Sequence, residues 1–124
     1  MNTIRMWKAA PDLRPWAEVV GEGRGHLLAL LLSGDLYSKD SCEMALEAAR
    51  KSVASKEYDE DLGFFNAAGL YFTAGQVKVD HALLEYGLLT MDAGQFEYLL
   101  SQWLEVVTSR EPIELLADVR FDWS

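Results

Sequence analysis

From Thr3 to Trp7 the chain alternates, with Ile4 and Met6 on one side and Thr3, Arg5 and Trp7 on the other. That two-residue period predicts a half-buried strand. Pro11 and Pro15 bracket an irregular connection, and Trp16 to Val20 can extend again before the glycine cluster Gly21, Gly23 and Gly25. The apolar run Leu27 to Leu32 is short and bounded by Gly25 and by Ser33-Gly34-Asp35. Its length and punctuation predict a central strand, against the helix preference of leucine.

From Asp40 the period changes. Asp40 and Glu43 have the spacing of a capping box, and Cys42, Ala45, Leu46, Ala49 and Val53 recur on one helical face. Glu47 stands four residues before Lys51, the favourable order for a helical ion pair. This predicts an amphipathic helix ending near Lys56. Leu70 to Thr73, the Ala74-Gly75 turn and Gln76 to Leu84 predict a hairpin, with Val77, Val79, His81 and Leu83 on one face and a bend at Gly87. Asp92 with Gln95 marks a second capping box. The stripe Phe96, Leu99, Leu100, Trp103, Val106 and Val107 then predicts a second amphipathic helix stopping near Ser109, ahead of Pro112. The tail from Ile113 is read as a short helix or an edge strand. Together these elements predict an α+β fold, a mainly antiparallel sheet with two amphipathic helices packed on one face, in a single domain spanning residues 1–124.

Charge adds a functional hint. The chain of 124 residues has a formal net charge of −9. Residues 1 to 33 hold four basic and three acidic side chains, and residues 34 to 124 hold seven basic and seventeen acidic ones. A field of that sign disfavours nucleic acid and anionic membrane surfaces, and points to a basic protein partner. Cys42 is the single cysteine, so no intrachain disulfide or thiolate cluster can form. Met1 to Ala10 lacks the layout of a secretion signal, and no apolar run is long enough to span a bilayer. The expected setting is cytoplasmic.

The catalytic inventory is thin. With only His26 and His81, Cys42 and His81 form the one conceivable nucleophile-base dyad, and both fall on apolar faces. Gly21-Glu22-Gly23-Arg24-Gly25 lacks the spacing of a phosphate-binding loop and reads as a turn. Glu57, Asp59 and Asp61 would share one side of an extended segment, but the spacing of a calcium loop is missing because Leu62 and Ala68 stand where it needs glycine and glutamate. Glu57, Tyr58, Asp59, Glu60 and Asp61 are read either as a solvated loop or as a partner-binding patch, a tyrosine anchor among steering carboxylates. Trp103 belongs to the core stripe, whereas Trp7 and Trp123 are candidates for exposure. No catalytic residue, metal site or cofactor is expected.

Gly69-Leu70-Tyr71-Phe72, Gln76-Val77-Lys78-Val79-Asp80-His81 and Phe96-Glu97-Tyr98-Leu99-Leu100 give residues 69 to 107 a layout that resembles immunity proteins of bacterial contact-dependent inhibition and related polymorphic toxin systems. The resemblance lies in topology and rhythm and transfers no functional residue. It implies a protein that binds a toxin domain, often a basic nuclease, and obstructs its active surface. Two alternatives stand beside it. Type III secretion chaperones are also small, acidic and α+β, although they usually open with a helix. A small enzyme working with carboxylates alone would need two of them facing one pocket.

Overall fold

A computed structural model describes residues 2–21, 26–81 and 88–123. The chain is α+β, with two antiparallel sheets. Strands β1 (Asn2–Lys8), β2 (Trp16–Val20) and β7 (Ile113–Val119) form a three-stranded sheet in the order β2-β1-β7. Strands β3 (Glu60–Phe64), β4 (Ala68–Thr73), β5 (Gln76–His81), β6 (Leu89–Asp92) and the two-residue β8 (Asp122–Trp123) form the other, in that order. Helices α2 (Lys39–Ala54) and α3 (Ala93–Thr108) pack on each other and on the inner face of the larger sheet, where Phe72 lies 6.0 Å from Phe96. Helix α3 also touches β1 and β7, so it links both sheets to one core.

The strand expected from Leu27 to Leu32 is helical instead: α1 (His26–Leu30) runs into a π-helical turn over Leu31–Asp35. Leu27, Leu28, Leu31, Leu32 and Leu36 are all fully buried. Their spacing follows a helix, but apolar neighbours on the other faces erase the contrast that reveals one. Residues 22–25, with most of the glycine cluster, and 82–87, with the end of the expected hairpin arm and its Gly87 bend, lie outside the described residues.

The expected hairpin is otherwise present, Leu70 pairing with Val79 and Thr73 with Gln76. Its two-residue turn places Ala74 at φ 51° and Gly75 at φ 78°. Both signs match the right-handed twist of the flanking strands, and glycine accepts this conformation without a steric cost. The tail resolves into an edge strand paired along its whole length with β1.

Both caps differ from the expected boxes. Ser38 begins α2: its hydroxyl accepts from Ser41 N at 3.1 Å, and Ser41 Oγ accepts from Ser38 N at 3.3 Å. Asp40 therefore sits inside the first turn, where its charge faces the positive end of the helix dipole. Asp92 does cap α3, accepting from Gly94 N, but Gln95 accepts from Arg120 N and so ties the helix to the C-terminal segment. At the other end of α3, the buried Lys8 ammonium donates to the carbonyls of Val107 (2.7 Å) and Ser109 (2.8 Å), satisfying groups the helix leaves open.

The buried face of α2 is Cys42, Ala45, Leu46, Ala48, Ala49 and Ser52, with Val53 half exposed. The helix is rotated relative to the expected stripe because alanines at 45, 48 and 49 allow close approach to α3. Ser52 Oγ is buried and finds no hydrogen-bond partner among the described residues. Ser52→Ala removes that penalty and improves helix propensity, so it should stabilise the fold by about 1 kcal/mol in urea titration. A destabilised variant would show that the hydroxyl has a partner in solution.

Candidate protein-binding edge

The acidic segment leads into β3, an edge strand of the larger sheet. Among the described residues strand β3 pairs only with β4, through Glu60 with Phe72 and Asp61 with Tyr71, then shifts register before Gly63 meets Leu70. A bulge of this kind bends an edge and re-aims its side chains. Glu57, Asp59, Glu60 and Asp61 are all exposed. Each of the last three has a local role. Asp61 accepts from Gly63 N at 2.7 Å, which shapes the bulge. Glu60 accepts from the Tyr58 hydroxyl, and Asp59 bonds to Tyr71 across the strands and raises that phenol's pKa.

Tyr58 is not the exposed anchor that the sequence suggested. Its ring packs against the core 6.4 Å from Phe72, and burial, reinforced by Glu60, pushes its pKa up to about 12. The aromatic that projects from this edge is Phe64, 56% exposed. Its ring lies over Gly69, where an added Cβ would approach ring carbons to 3.2 Å. Glycine at 69 thus lets the ring settle on the sheet. Next to it, a shallow groove of about 260 Å³ is lined by Asp61, Phe64, Tyr71, Lys78, Asp80 and Leu88, on the sheet face away from α2 and α3. Sequence reasoning missed Phe64 and Tyr71. The signal for Tyr71 was the alternation of β4, which turns it away from buried Leu70 and Phe72, while that for Phe64 is interrupted by the bulge after Asp61.

The segment does not fold as one extended row of carboxylates. Lys56 and Glu57 form a turn and the strand begins at Glu60, so Glu57 and Asp61 diverge. Among the described residues no cluster of three His, Cys, Asp or Glu side chains is placed to hold a metal.

The single cysteine lies inside the helix pair. Burial pushes the Cys42 thiol up to about 12, and its Sγ donates to the Leu100 carbonyl at 3.7 Å, which keeps the thiol protonated between α2 and α3. His81 ends β5 half-buried. A cleft of about 370 Å³ between β2 and α1 is lined by Glu18, His26 and Ser33. Ser33 Oγ donates to Ala29 O at 2.7 Å and Glu18 pairs with Arg5 at 3.1 Å. Trp7 is half-buried under the Arg5 guanidinium, 4.2 Å from the ring centre.

Fold and edge define an α+β chain of two antiparallel sheets bridged by α3, with an acidic, bulged strand at one margin. No protein-family model, curated protein or solved structure matches the chain. Among the described residues no helix is long and apolar enough to cross a membrane.

Proposed function

We propose that this chain is a cytoplasmic, non-enzymatic protein of immunity type, which binds a basic toxin domain and occludes its active surface. The observation that supports this reading is the β3 margin, where Glu57, Asp59, Glu60 and Asp61 stand exposed beside the projecting Phe64 ring. An apolar contact rimmed by carboxylates suits a cationic protein surface: the charges speed encounter and the ring slows departure. A nuclease domain has such a surface because it must hold a phosphate backbone.

The test is co-expression with the product of the adjacent reading frame, followed by stopped-flow association of the purified pair. Growth arrest by that product should be relieved. Glu57→Lys with Asp59→Lys, which leaves the Asp61 turn intact, should lower the association rate at least tenfold at low ionic strength and flatten its salt dependence. Unrelieved arrest, or a product that neither harms the cell nor binds, would overturn the reading. An unchanged rate would remove this edge from the interface.

A further inference from the structure

We propose that the outer face of the three-stranded sheet is a self-association surface, on which a second copy of this chain docks face to face. The strand alternation buries Ile4, Met6, Ala117 and Val119 and turns Thr3, Arg5, Trp7, Trp16, Glu18, Val20, Glu114, Leu116 and Asp118 outward. Leu116 is 58% exposed, Val20 49% and Trp16 41%. Apolar groups thus stand open on both flanking strands.

The polar groups of this face are already paired with one another. Arg5 sits at the centre, 3.1 Å from Glu18 on β2 and 3.1 Å from Glu114 on β7. Thr3 Oγ1 donates to Asp118 at 2.5 Å. Covering the face therefore strands neither Arg5 nor its two carboxylates, while Asp118 would be covered against the Thr3 hydroxyl and Arg14 against the Trp16 ring. With Arg5 and Arg14 against Glu18, Glu114 and Asp118, the face is close to neutral in a chain of net charge −9. A second copy meets less repulsion here than a chain of that charge presents on average.

The register selects the symmetry. Trp16, Trp7 and Glu114 form one row across the sheet, and Val20, Thr3 and Asp118 form another. Either in-plane two-fold axis through the centre sets Arg5 over its own copy, and one running across the strands also sets Glu114 over Asp118 and Glu18 over its own copy, so that every charge then meets its like. An axis along β1 lays β2 of one copy over β7 of the other. It brings Arg14, whose guanidinium stands 4.5 Å over the Trp16 ring, toward Glu114 of the second copy, twice in the dimer. Three strands about 4.8 Å apart and five to seven residues long give a sheet plane of roughly 300 Å². A standard interface covers about 800 Å² per partner, so this face belongs with the small interfaces of transient, reversible complexes.

Sedimentation equilibrium of the whole chain from about 5 μM to 500 μM, a range that reaches weak association, tests the proposal. The weight-average mass should climb towards twice that of the chain. Leu116→Lys should abolish the rise, and Arg14→Glu, an exposed side chain outside the strands, should weaken association about tenfold at low salt. Val53→Lys, exposed on α2, should leave the rise unaltered. A constant monomer mass throughout would overturn the proposal. So would a dimer that ignores Leu116→Lys and Arg14→Glu, or a monomer whose outer face is covered only by another macromolecule. The measurement uses no toxin and is independent of the reading of the β3 margin.

Discussion

Trp103→Ala is expected to cost about 4–5 kcal/mol of folding free energy and to leave the chain close to half-unfolded at room temperature if its stability lies at the low end for a small domain. Trp103 is fully buried on α3, and its indole Nε1 donates to the Leu36 carbonyl at 2.7 Å. The substitution opens a large cavity between α3 and the end of the α1 segment. It also leaves a buried carbonyl without its donor, which adds a desolvation penalty. Trp103→Phe separates the two effects: it keeps most of the packing and loses the hydrogen bond, with an expected loss of about 1–2 kcal/mol. Urea unfolding followed by circular dichroism checks both. A loss under about 2 kcal/mol for the alanine variant would mean that neighbouring side chains collapse into the space.

Asp35→Ala should destabilise the protein by about 3 kcal/mol. Asp35 is buried at the end of the π-helical turn, and its Oδ2 accepts from Ala67 N at 3.2 Å and from Ala68 N at 2.5 Å. Asn66 Nδ2 donates in return to Gly34 O at 2.7 Å. These bonds clamp the turn to the connection between β3 and β4. Alanine would leave the buried Ala68 donor unsatisfied, a penalty of about 1–3 kcal/mol beyond the lost attraction of a charged acceptor. Asp35→Asn keeps an oxygen in place and should recover about half the loss. Because β3 is held to the sheet by β4 alone, amide exchange across Glu60–Phe64 should accelerate in Asp35→Ala before exchange in α3 does. If both regions accelerate together, the clamp belongs to the global fold and not to the edge.

Elements with one wet and one dry face were legible from the residues. The stripe from Phe96 to Val106 meets the core as its spacing implies, and Ile4 and Met6 turn inward from β1. The Ala74-Gly75 turn pairs its strands in the expected register. The leucine run was misread because burial around most of a helix removes the polar positions that define its period. Cap residues were misplaced because Ser38-x-x-Ser41 and Asp40-x-x-Glu43 both have the right spacing, and only the path of the incoming chain chooses between them. At the candidate edge, the exposed carboxylates followed from composition. The inward turn of Tyr58 did not, since Tyr58 follows the turn at Lys56 and Glu57 before the strand begins, nor did the outward turn of Phe64, since one bulged position reverses which side chains face solvent.

By itself the sequence determined an α+β fold of antiparallel strands, a strongly acidic chain after residue 33 and a cysteine without a disulfide partner, because these depend on local periodicity and on counting. Only the tertiary structure decided that the strands divide into two sheets sharing α3, that a buried lysine closes the end of that helix, and that the acidic segment forms an open margin. Those outcomes depend on pairings between residues far apart in the chain, for example β1 with β7, and chain-distant pairing leaves no periodic trace in either partner.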